Sequence, residues 1–285
     1  MLILSNARIH TLDPRQPAAS GIAIQPSSEN GGRILAVGDL ASLKAEFPNA
    51  SIDDLHGGVV LPGLTDAHVH LRQYALGLQQ IDCGTPTRAE CIERVAARVA
   101  KTAPSVWISG HGWRQNDWPE GFGNVALLDA VAPKNPVYLT AASLHAGWAN
   151  SAALKAAGID TNTPDPENGT IERDSNGAPT GILFEAAMRL VAQATPQSTP
   201  EEEIHAMQIA QEKLWSFGLT GIHDFDRERS FRALQTLRER GELKLRVLKN
   251  LPVELLDHIL AIGLRGGFGD DLLRIGNIKV FADGA

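Results

Sequence analysis

Two histidines one residue apart, His68 and His70, close the run Leu61-Pro62-Gly63-Leu64-Thr65-Asp66-Ala67-His68-Val69-His70. The Pro-Gly break and the short apolar stretch after it predict a strand. Side chains alternate faces along a strand, so both imidazoles project the same way, about 7 Å apart, with Asp66 one step behind them. Neutral imidazole suits zinc, and two rings at one strand end can close on one metal ion or share two. An isolated H-x-H is more often a pair of surface histidines, so the surroundings must decide.

Other residues of reactive type stand near predicted strand ends. His111 in Gly110-His111-Gly112-Trp113 and His145 in Leu144-His145-Ala146-Gly147-Trp148 are candidate catalytic residues, as substrate or oxyanion contacts. A lone histidine in such a place is more often a hydrogen-bonded structural residue. On the run 219–225, either His223 faces inward as a further metal ligand or Asp224 does, and one residue of register decides which. Glu185 is a candidate polar group of the site. Trp107, Trp113, Trp118 and Trp148 suit the wall of an apolar pocket or, more commonly, a core.

The elements that must position these groups change character near Pro62. Residues 1–60 hold short apolar runs at 2–4, 7–10, 21–24 and 33–38, separated by turn residues, with a turn at 27–32 and a short helix at 40–47. From 61 on, strand and helix alternate. Strands are predicted at 106–113, 136–140, 219–225, 243–251 and 275–281, beside the histidine strand itself. Helices are predicted at 87–101, 150–157, 182–194, 199–217, 231–240 and 253–262. Thr87 with Glu90 makes a capping box, and Thr199-Pro200-Glu201 is a cap followed by proline at the first helical position. Residues 159–181 are rich in Pro, Gly, Asp and Asn and read as a long functional loop.

Strands alternating with helices imply a parallel sheet, and polar groups at strand ends favour a (β/α)8 barrel over an open sheet. The fold class expected is therefore α/β: a TIM-type barrel over 61–285, with an insertion at about 113–200, preceded by β-structure over 1–60 that is too short to stand as a sandwich alone. Six strands cannot close eight, so this sequence is expected to be the first part of a longer enzyme.

Composition excludes several classes. The chain has 285 residues, a net charge of −7 and no cluster of basic residues, which argues against nucleic acid as a partner. No apolar run reaches the roughly 18 residues of a membrane span. The first residues lack the form of a signal peptide, and two cysteines eight apart, Cys83 and Cys91, fit reduced thiols in the cytoplasm. A small-molecule substrate is the expected partner, with a homodimer as the assembly considered.

Several motifs occur in order along nearly the whole chain: "LILSNARIHTLDP", "GGVVLPGLTDAHVHL", "ISGHGW", "PVYLTAASLHAGWANSAAL", "TPDPENGTIERDSNGAPTGILFE", "GLTGIHD" and "IKVFADGA". Together they resemble the amidohydrolase superfamily, and within it the amidohydrolase 3 family, which includes N-substituted formamide deformylase. The resemblance implies a β-sandwich built from both chain ends beside a metal-bearing distorted barrel. His68 and His70 match the family's first-strand metal ligands, with Asp66 as a group orienting an imidazole N–H. Lys279 shares a strand face with Phe281 and Asp283. A lysine pointing inward must be paired, neutral or carboxylated by CO2, and the resemblance implies the carboxylated form, bridging two metals. It also implies further histidine ligands and an aspartate from later barrel strands.

The activity implied is metal-dependent hydrolysis of a C–N bond, in an amide, an N-formyl or N-acyl compound or a cyclic amide, with one or two divalent ions, zinc first. The alternatives are a non-catalytic fragment or metal-lacking homologue serving as a binding module, and an aminohydrolase that deaminates a heterocycle.

Overall fold

The computed structural model describes residues 1–27 and 32–282. They fall into two units, one of Met1–Ala75 with the chain from Pro200 onward, the other of Leu76–Thr199.

In the first unit, β1 (Leu2–His10) joins the two apolar runs predicted separately, with an irregularity at Asn6, whose φ is 51°. β2 (Ala18–Ala19), β3 (Gly21–Gln25) and β4 (Arg33–Gly38) pair in the order β2-β1-β3-β4. After α1 (Leu40–Glu46), β5 (Ser51–Val60) runs parallel to β1 and completes a five-stranded sheet. Ile3, Ala23 and Leu43 form the small core between this sheet and α1, with Asp39 capping the helix through the Ser42 amide. The turn expected at 27–32 falls mostly outside the described residues.

β6 (Leu64–Val69) carries His68, and His70 follows it directly before α2 (Leu71–Gly77). A side chain at Gly63 would meet Thr220 Oγ1 at 2.1 Å, so glycine alone lets the chain enter β6 so close to that residue.

The second unit contains β7 (Ile81–Asp82), α3 (Arg88–Val99), β8 (Ile108–Trp113), α4 (Val125–Val131), β9 (Val137–Ala141) and β10 (Ala146–Ala149). It continues through α5 (Ser151–Ala156), β11 (Gly169–Arg173), β12 (Pro179–Glu185) and α6 (Met188–Ala194). Its six strands form one mixed sheet, β11-β12-β10-β9-β8-β7. The strands expected at 106–113 and 136–140 thus pair here and not with β6. Alternating strands and helices signal parallel pairing without saying which sheet each strand joins. The expected loop at 159–181 contains β11, the whole turn after it and the start of β12. The start of the helix expected at 182–194 is strand: Ile182 and Leu183 are both buried, and an apolar run covered on both faces carries no period that separates strand from helix. Trp113, Trp118 and Trp148 are core residues of this unit.

The chain returns to the first unit with α7 (Pro200–Ser216), which stops at Gly218, φ 78°. β13 (Leu219–Asp224), α8 (Glu228–Glu239), β14 (Arg246–Pro252), α9 (Leu256–Ala261) and β15 (Leu273–Lys279) follow. β15-β14-β13-β6 form a wholly parallel four-stranded sheet, against which α7 and α8 pack. Ile222, Val247 and Ile275 are buried with Met207, Leu234 and Leu237 of these helices. The fold is α/β.

Candidate metal-binding site

At the C-terminal end of β6, the His68 and His70 rings lie 5.5 Å apart, tilted by 59°. His68 stacks on Phe225, with centroids 4.1 Å apart and planes 11° from parallel. His70 is held differently. Its Nδ1 is 3.2 Å from Oδ1 of Asp226, a carboxylate with 5% of its side chain exposed. Asp226 Oδ2 accepts the Arg72 amide at 2.7 Å and the Gln73 amide at 3.3 Å.

The last residue of β13 completes the arrangement. Ile222 and Asp224 are buried while His223 between them is half-buried, so alternation puts Asp224 on the covered face and His223 on the other. Asp224 Oδ1 accepts the Leu71 amide at 3.0 Å, and Oδ2 accepts Ser230 Oγ at 3.1 Å and Lys249 Nζ at 2.7 Å. Lys249, 1% exposed on β14, also donates to the backbone carbonyl of Asp226. Asp224, the last residue of β13, and Asp226, two residues beyond it, therefore satisfy the first three amides of α2, which have no partner within that helix. One turn along, Arg72 and Arg229 both pair with the buried Glu203 of α7. The Glu203 hydrogen bond raises the Arg72 guanidinium above its ordinary pKa, with partial burial working against it.

Asp66, expected to orient an imidazole, instead accepts the His68 backbone amide at 2.9 Å; Asp226 holds the ring. Lys279 is half-buried at the end of β15, with Nζ 5.3 Å from the centre of Phe225 and 4.9 Å from that of Phe281. Phe225 thus touches both His68 and Lys279. Asp283, the acid considered as a partner for Lys279, lies outside the described residues. His223 lines a cavity of about 620 Å3 with Thr65, Arg246, Leu248 and Arg274.

Two imidazoles at one strand end, one with Nδ1 engaged by a carboxylate and with no partner for Nε2 among the described residues, fit two ligands of a divalent metal. Among the described residues no group of three His, Cys, Asp or Glu gathers to complete the set, so His223 does not join the pair.

The remaining candidates belong to the second unit. His111 Nδ1 lies 2.8 Å from Thr140 Oγ1, beside a cavity of about 600 Å3 lined by Thr85, Arg114 and Asp117. His145 Nδ1 lies 3.0 Å from Glu185 Oε1, both side chains exposed. Asp226, Phe225 and Lys249 were not singled out from the sequence. The available signal was Asp224-x-Asp226 directly after a strand, and a lysine inside the apolar run of β14.

Comparison with known proteins shows the family. The amidohydrolase 3 profile, described as an amidohydrolase family, matches residues 52–285, and the chain belongs to that family. It is 37% identical over 232 residues to N-substituted formamide deformylase of Arthrobacter pascens, covering 78% of this chain and 42% of that protein. It is 32% identical over 298 residues to Protein LONG AFTER FAR-RED 3 of Arabidopsis thaliana, covering 100% of this chain and 50% of that protein. A solved metal-dependent hydrolase of Pyrococcus furiosus is 29% identical, with a TM-score of 0.73 over 100% of this chain and 57% of its own. The chain spans about half the length of the curated relatives it matches.

Proposed function

We propose that the protein is a metal-dependent hydrolase of C–N bonds, acting on an amide, an N-formyl or N-acyl compound or a cyclic amide, with His68 and His70 as metal ligands. The observation that carries the reading is the pair of imidazoles on one β6 end, one of them tied through Nδ1 to a buried carboxylate. The names of the Arthrobacter and Pyrococcus relatives support it. A divalent ion, zinc first, supplies Lewis acidity when bound, acidifying water and polarising a carbonyl. The chain's own part is to hold the two rings, with Lys279 in carboxylated form as an added oxygen donor. The four parallel strands are proposed as part of a (β/α)8 barrel, and the β1–β5 sheet as part of a β-sandwich. His111, His145 and Glu185 are proposed as substrate-contacting groups, and the cytoplasm as the location, in keeping with two free buried thiols.

The test is a double variant, His68→Ala with His70→Ala, in the intact protein, assayed on N-substituted formamides and N-acyl amines with added zinc. Metal-dependent hydrolysis should fall to background, and retained activity would overturn the reading. A second reading, a binding module without catalysis, is favoured by the described residues gathering two donors and not three. Zinc titration separates the two: stoichiometric uptake supports the enzyme, and no uptake supports the module.

A further inference from the structure

His68 lies in β6 and His70 just beyond its end, yet among the described residues only His70 has a ring nitrogen engaged by a side chain. We propose that Asp226 is the positioning residue of His70, fixing the Nδ1–H tautomer and the direction of the ring so that Nε2 carries the lone pair. The proposal deepens the metal-site reading of His70 and rests on it for its purpose, but the tautomer itself is a property of the chain.

Asp226 meets the ring through its carboxylate. Ionised, it can only accept hydrogen bonds. Oδ2 is taken by the amides of Arg72 and Gln73, which belong to the first turn of α2 and cannot rotate. That fixes the plane of the carboxylate and therefore where Oδ1 points. The ring nitrogen 3.2 Å from Oδ1 must then be the donor, which selects one of the two neutral imidazole tautomers.

The backbone of Asp226 is secured as well. Its carbonyl accepts from Lys249 Nζ, and the same ammonium binds Asp224, which accepts the Leu71 amide. The His70 carbonyl accepts the Tyr74 amide at 2.9 Å. Three consecutive amides after His70 thus end on Asp224 and Asp226, at and just beyond the end of β13, so the main chain on one side of His70 and its ring are held by the same short segment. His68 has no ring-nitrogen partner among the described residues; its plane is set by stacking on Phe225, which leaves its tautomer open.

Long-range proton–nitrogen correlation spectra of the metal-free intact protein, labelled with 15N-histidine, read the tautomer directly, and His70→Ala assigns the signal. His70 is expected with a protonated Nδ1 and a bare Nε2. In Asp226→Asn the amide group can turn its NH2 toward the ring, so the Nδ1–H pattern should be lost and zinc affinity should fall about 10–100-fold, the usual range for such outer partners. The His68 signals should stay in place. His70 found as the Nε2–H tautomer in the unaltered protein overturns the proposal without recourse to any variant. So does an Asp226→Asn protein that keeps both the Nδ1–H pattern and its zinc affinity. A protein with the Nδ1–H pattern that takes up no zinc supports the positioning and overturns only the metal-dependent reading.

Discussion

Each unit holds an imidazole whose Nδ1 lies about 3 Å from a carboxylate, and the two pairs differ in almost everything else. In the first unit Asp226 is 5% exposed, and its neighbour Asp224 is fully buried against Lys249. Desolvating those charges is unfavourable by several kcal/mol per ion, about offset here by helix amides and an ammonium group. In the second unit the His145 and Glu185 side chains are 70% and 56% exposed, so water competes for every bond they make. Such a pair contributes about 0–1 kcal/mol and weakens in salt. Contact length does not distinguish them; burial does. The first is a fixed device in which removing one member strands another charge, while the second can open and re-form at little cost.

The largest effect should come from Lys249→Met, which keeps most of the volume but leaves Asp224 buried without its cation. Breaking a buried pair from one side costs about 3–5 kcal/mol. Urea denaturation measures it, and a loss under about 1 kcal/mol would mean that the buried network is no stiffer than the exposed pair. Glu203→Gln should follow. Two arginines lose the charge they share, and neutral amide oxygen replaces only part of the interaction, at a cost of about 1–3 kcal/mol. The same denaturation series checks it; no change would show that the Arg72 and Arg229 contacts are as adaptable as those on the surface.

The same contrast explains what the sequence made legible. Local signals carried through. Thr87 Oγ1 accepts the Glu90 amide at 3.2 Å, Pro200 opens α7, and Gly218 ends it in a left-handed conformation. The shared direction of His68 and His70 is also local, because alternation along one strand needs no partner. The groups that hold them are not local. Asp226 reaches His70 across 156 residues of sequence, and nothing near either residue announces the other. Lys249 sits in Arg246-Val247-Leu248-Lys249-Asn250-Leu251, where a lysine among apolar residues can face solvent or an acid with equal ease. Only the register of β13 with β14, which sets Asp224 beside Lys249, resolves it. The second unit's sheet was hidden for the same reason, since pairing partners are a property of the folded chain.

The smallest expected effect gives the sharpest test of the exposed pair. Glu185 ends β12 with φ at 50°, a left-handed conformation that costs a residue with a Cβ about 1–2 kcal/mol relative to the right-handed region. Glycine adopts it freely. Glu185→Ala loses the contact with His145 and keeps the unfavourable backbone, so it should lower stability by about 0.5 kcal/mol. Glu185→Gly loses the same pair and relieves the backbone, offset in part by the greater freedom of the unfolded chain, for a net gain of up to about 1 kcal/mol. The difference between the two variants isolates the backbone contribution, because both remove the carboxylate. Urea unfolding of the pair of variants measures that difference. A Glu185→Gly protein weakened by 2 kcal/mol or more would show the His145–Glu185 contact to be as fixed as the buried one, and exposure would no longer account for the contrast.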